Sequence, residues 1–119
     1  MKRFHLAIGV SDIARSVEDY SGRFGQPPTV LIPDEYALWR TTHVNFSIRR
    51  VEQRTGTLRH LGWEDSSVSQ FTQEADVNGI VWERFSSELQ LDEIRAAWPE
   101  AHLTSRPKRS SRTRPRSVR

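Results

Sequence analysis

The sequence has no cysteine among its 119 residues. That excludes disulfides, zinc–thiolate centres and a cysteine nucleophile. No apolar run approaches the roughly 20 residues of a membrane span. The opening "MKRFHLAIGVSD" has neither the length nor the small-residue cleavage site of a secretory signal. Phosphate-cradling glycine loops and serine-elbow motifs are also absent. Hydrophobic residues make up only 35% of the chain, but four tryptophans help fill a small interior. The length fits one domain with one modest core. A cytoplasmic, soluble protein with no membrane partner is the expectation.

Acid is what the C-terminal stretch lacks. "SRPKRSSRTRPRSVR", Ser105 to Arg119, carries seven basic residues and no carboxylate. The net charge of +3 therefore hides a body, residues 1–104, with fifteen acids against eleven basic residues, net −4. Residues 105–119 cannot bury apolar surface and are predicted to be a disordered basic tail. Such a tail can contact RNA, DNA or an acidic partner through counterion release. No aromatic is interleaved with its arginines to stack on bases, so a solvated extension is the default and nucleic acid is not an expected partner except through this tail.

What is present is alternation. Phe4, Leu6, Ile8 and Val10 alternate with His5, Ala7 and Gly9, which predicts a strand with His5 on the face of small residues. Ser11 and Asp12 can cap a helix whose stripe is Ile13, Val17, Tyr20 and Phe24; Gly25 ends it. Three short strands follow, at Thr29–Ile32, Tyr36–Thr41 and His43–Arg50. After "EQRTG" the pattern restarts in "TLRHLGWEDSS", with Leu61 and Trp63 on one face and Leu58, His60 and Gly62 on the other. Ser67 and Gln70 form a capping box for a short helix with Val68, Phe71 and Ala75, and Asn78-Gly79 supplies its C-cap. Ile80–Phe85 reads as a strand. Ser87 and Gln90 form a second capping box before a helix carrying Leu91, Ile94 and Trp98.

"RFHLAIGVSD" and "LRHLGWEDSS" share a His-Leu-small-bulky order, end in capping residues and precede a helix. Their histidines lie 55 residues apart, a period that suggests two copies of one supersecondary unit. Strands lying side by side about a pseudo-twofold would turn His5 and His60 into one concavity. Neutral imidazoles so placed suit a divalent metal, and Ala7, Gly9 and Gly62 leave room for a ligand. The competing reading is a pair of hydrogen-bonded core histidines.

"FHLAIGVSDIARSVEDYSGRFG" closely resembles the opening of the vicinal oxygen chelate superfamily, which includes glyoxalases, bleomycin-resistance proteins and extradiol dioxygenases. There a strand histidine is followed by an Asp-x-x-x-Ser-x-x-x-(Tyr/Phe) helix, matched here by Asp12, Ser16 and Tyr20. "VNFSIRR" resembles the fourth strand of the first βαβββ module, and "LRHLGWED" the first strand of the second. The likeness covers residues 3–65 and weakens beyond. It is strongest to the small cadmium-induced and organoarsenical-lyase-like members, although arsenic-holding cysteines are missing.

The resemblance implies an α+β fold of paired glyoxalase-like βαβββ modules in residues 1–104. Module one spans 3–50, and a shortened or diverged module two spans 57–100. It implies that His5 and His60 bind a divalent metal (Fe, Mn, Ni or Zn). "ADVNGIVWERF" aligns with the family's final-strand motif and makes Glu83 the third candidate ligand. Two alternatives stand: the module is shortened and Glu83 is a ligand, or its last strands are missing and Glu83 is a surface charge. The short spacing from His60 slightly favours the second. Asn45 stands where glyoxalases carry a glutamate.

Three functions follow as expectations. One is a metal-dependent dioxygenase or lyase acting on a small oxygen-rich substrate. A second is a metal-free antibiotic-binding and resistance protein using an acidic, aromatic groove with Trp39, Trp63 and Trp82. The third is a catalytically degenerate family member. A homodimer that completes the cup is expected in each case. His43 shares a face with Asn45 but reads as an edge histidine, His102 as exposed, and Arg49-Arg50 as a solvated strand end.

Overall fold

The computed structural model describes residues 1–100; His102 and the basic segment 105–119 lie outside the described residues. The protein is α+β. Its elements run β1 (Lys2–Val10), α1 (Ile13–Phe24), β2 (Val30–Ile32), β3 (Tyr36–Arg40), β4 (Val44–Arg50), β5 (Thr57–Asp65), β6 (Thr72–Ala75), β7 (Val81–Phe85) and α2 (Ser87–Ala97). All seven strands form one mixed sheet in the order β2-β3-β4-β1-β5-β7-β6. Among the described residues no helix is long and apolar enough to cross a membrane.

Local chemistry sets the helix ends. The Asp12 side chain accepts from Arg15 N, and Gly25 closes α1 in the left-handed region at φ 73°, where a side chain is disfavoured. The stripe Ile13, Val17, Tyr20 and Phe24 seats α1 on one sheet face, against Val10, Ala37, Trp39, Phe46 and Ile48. The alternate residues of β3, Tyr36 and Leu38, point to the opposite face and pack with Val30, Ile32 and Ile94 of α2. The two helices thus cover opposite sides of the sheet. Ser86 rather than Ser87 caps α2, its hydroxyl accepting from Leu89 N.

The second half departs from expectation after β5. The segment predicted as a helix through Val68, Phe71 and Ala75 is instead a loop followed by the edge strand β6, antiparallel to β7. All four β6 residues are exposed, so a helical stripe there would have had nothing to bury against. Asn78-Gly79 is a hairpin turn, not a helix cap. Gly79 has φ 82°, and the Asp76 carboxylate accepts from the Asn78 and Ile80 amides. Of the pair only Gly79 takes positive φ: its amide donates to the Asp76 carbonyl, so the hairpin is a tight turn closed by a left-handed glycine.

The sheet centre has local twofold character. Antiparallel β1 and β5 pair Leu6 with Leu61, His5 with Gly62, and Ala7 with His60. On the flanks, β4 runs parallel to β1 and β7 parallel to β5. One register slip, between Ala7 and Ile8, pairs Ile8 with Leu58. The resulting bulge turns Leu58 away from the His60 face, correcting the simple alternation read from sequence.

Candidate metal centre

Strand parity builds the site. His5 on β1, His60 on β5 and Glu83 on β7 all project from the α2 face of the sheet. Gly62 lies between His5 and Glu83 in the cross-strand row. A Cβ added to Gly62 would strike the Glu83 backbone, so glycine lets β7 approach closely. The His5 and His60 rings lie 5.0 Å apart between centroids, and His60 Nε2 stands 3.2 Å from Glu83 Oε1. One ligand atom from each of the three residues lies within 4.8 Å of the other two. Exposure is 0% for His5, 5% for His60 and 6% for Glu83, so Glu83 is not a surface charge.

A polar network behind His5 fixes its tautomer. Glu64, on β5, accepts from Arg40 at 2.7 and 3.0 Å and from Arg3 at 2.9 Å. An ionised carboxylate only accepts, so the Asn45 amide turns its Nδ2 toward Glu64, at 2.8 Å. The same Nδ2 donates to Gln90 Oε1 at 2.8 Å, and Gln90 Nε2 returns a bond to Asn45 Oδ1 at 3.2 Å. Asn45 Oδ1 is thereby presented to His5 Nδ1 at 2.9 Å, beside the Asn45 carbonyl oxygen at 3.1 Å. Both partners are acceptors, so Nδ1 carries the proton and the Nε2 lone pair is left to serve as a metal ligand. The edge of Phe85 against the His5 ring, 4.9 Å between centroids, restrains its tilt.

Burial pushes the Glu64 carboxyl up. Hydrogen bonds from Arg40 and Asn45 and the charges of Arg40 and Arg3 outweigh it and hold the group below its ordinary range. The hydrogen bond to Glu64 in turn raises Arg40, against the opposing effect of burial. A carboxyl held lower in the folded than in the unfolded chain stabilises the fold above its unfolded value, and the contribution is lost as pH falls through the folded value. This stabilisation should be intact above about pH 5 and decline from about pH 4 downward, given an unfolded Glu near 4.3. Melting temperature against pH should show that acid limb. Glu64→Gln should flatten it without adding a new one at neutral pH.

The sequence-predicted residues sort clearly. His5, His60 and Glu83 come together. Asn45 stands behind His5 as an orienting residue, not in a ligand's place. His43 is exposed at the start of β4. The Arg49 guanidinium lies over the Trp98 ring at 5.2 Å, and Arg50 pairs with Glu35 and Glu52. Trp39 is fully buried beneath α1 and lines no groove. Glu64, Gln90, Arg3 and Arg40 were missed because their partners are distant in sequence. For Glu83 a signal was available: it shares strand parity with Val81 and Phe85, so it belongs to their inward face.

No protein-family model matches the chain, and no curated protein matches it. Among solved structures, one described as an NAD-dependent benzaldehyde dehydrogenase from Legionella pneumophila is similar over 70% of this chain and 97% of its own. That similarity has a TM-score of 0.48 and 13% sequence identity, and it carries no argument about function.

Proposed function

We propose that the protein is a metal-dependent member of the vicinal oxygen chelate superfamily, its second βαβββ module shortened by a helix and a strand. His5, His60 and Glu83 would hold one divalent ion. One observation carries this reading: two imidazoles and a carboxylate, from strands of both halves, converge within 4.8 Å on one buried sheet face. The element order βαβββ from β1 to β4 and the twofold register of β1 with β5 support it. Two histidines and one carboxylate leave positions open on iron, manganese, nickel or zinc. A bound ion would supply Lewis acidity toward oxygen atoms of a small substrate. The chain's own part is to keep His5 in the Nδ1-protonated form, to place the Glu83 carboxyl beside His60, and to exclude bulk water by burial. Dioxygenase or lyase chemistry fits this donor set.

The test is linkage. Chelator-stripped protein should gain about 2.7 kcal/mol of stability at a free ion concentration one hundred times Kd, read as a rise in melting temperature of several degrees. No rise with iron, manganese, nickel, cobalt or zinc would refute the metal centre.

A second reading, a metal-free binder of a cationic aromatic ligand, draws on a cleft on the other sheet face. Trp63, Trp82, Glu74 and Asp76 line its volume of about 420 Å³. Quenching of tryptophan fluorescence by a cationic antibiotic in excess chelator would favour it.

A further inference from the structure

The register that gathers the three ligands also marks a fourth position. The local twofold through the Leu6–Leu61 pair carries His5 onto His60 and Ala7 onto Gly62. Gly62 lies beside Glu83 on β7, and Ala7 lies beside Ser47 on β4. Ser47, not Asn45, is therefore the counterpart of Glu83. It shares parity with Asn45, whose side chain meets His5, so it projects from the same face.

Ser47 is 1% exposed, and its hydroxyl has no hydrogen-bond partner among the described residues. Its cross-strand neighbours, Ala7 and Leu38, have no side-chain acceptor to offer. Burying a hydroxyl without an acceptor is costly, and native proteins seldom leave one so unless a water or ligand satisfies it. The reach is informative too. A glutamate oxygen stands three bonds beyond Cβ, whereas Oγ stands one bond beyond it. Serine in the place of a glutamate therefore falls short of the point where the other three side chains converge by about the reach of a carboxylate.

We propose that an exogenous carboxylate, a small acid or the carboxylate of a substrate, makes up this missing reach, and that Ser47 Oγ–H donates a hydrogen bond to it. The inference rests on the metal-centre reading: the anion would face the ion on one side and Ser47 on the other. Burial of Ser47 and His5 restricts the position to a small group.

Cobalt(II) and acetate serve as probes, read by visible absorption of the cobalt-loaded full chain. Acetate should perturb the wild-type spectrum saturably. Ser47→Ala should weaken acetate binding about tenfold or more, the worth of a hydrogen bond to a charged group. The same variant should keep cobalt affinity within about twofold, since the hydroxyl is too short to be a ligand. Ser47→Glu should supply that carboxylate itself, raise cobalt affinity about tenfold or more and abolish the acetate response. A wild-type spectrum indifferent to acetate, or acetate affinity unchanged in Ser47→Ala, overturns the inference while leaving the metal centre standing. Absence of cobalt binding in the wild type overturns both. Ser47→Ala decides the matter even if the glutamate variant fails to fold.

Discussion

His60→Ala should abolish tight metal binding, and His5→Ala and Glu83→Ala should do the same. Each removes one of three donors that converge within 4.8 Å, so each loss should exceed the roughly 10–100-fold that removal of a mere orienting partner costs. Isothermal titration of chelator-stripped protein with cobalt or zinc would measure it. Glu83→Gln sharpens the comparison: it keeps the shape but replaces an anionic ligand by a weak neutral one. Metal-free Glu83→Gln should fold as well as the wild type, because a neutral amide of the same shape is less costly to bury than a carboxylate. A variant that folds normally and has lost the metal separates ligation from structure. If all three single variants retained wild-type affinity, the ion would be bound elsewhere.

Asn45→Ala should lower metal affinity by about 10–100-fold although Asn45 touches no metal. Its Oδ1 holds the proton of His5 on Nδ1, and its Nδ2 ties Glu64 to Gln90. Truncation leaves His5 Nδ1–H only the Asn45 carbonyl oxygen and loosens the ring, and it leaves the buried Gln90 amide and Glu64 carboxylate each short of a partner, at about 1–3 kcal/mol each. Both the melting temperature and the metal affinity should fall. Gln90→Ala should cost stability with a smaller effect on affinity, since Gln90 supports Asn45, which in turn meets His5. Equal affinity losses in the two variants would mean that general loosening, not ring orientation, governs the site.

The contrast between the halves shows what the sequence could reveal. Alternation around His5 and around His60, with small residues sharing their face, was sufficient to pair the two strands and aim both rings at one side. The α1 stripe was legible because it buries against Trp39 and Phe46. The region after β5 was misread for a physical reason. Val68, Phe71 and Ala75 have helical spacing, but Thr72–Ala75 gains more by pairing its backbone with β7 than by turning a short stripe toward solvent. Asn78-Gly79 fits a helix end or a hairpin equally well by composition, and only the neighbouring strand decides. The network behind His5 was invisible for another reason: Asn45, Glu64 and Gln90 meet through sheet register and the seat of α2, which no local period encodes. Ser47 became significant only once Glu83 was placed, because its role depends on which β4 residue lies beside Ala7.

The proposed centre would hold one ion among His5, His60 and Glu83. Anomalous diffraction from crystals of zinc- or cobalt-loaded protein, recorded at the metal edge, tests it most directly. A single strong peak is expected about 2.0–2.2 Å from an imidazole nitrogen of each histidine and from a Glu83 oxygen. A peak bound only by surface carboxylates, or empty density among these three side chains in crystals that hold the metal elsewhere, would contradict it.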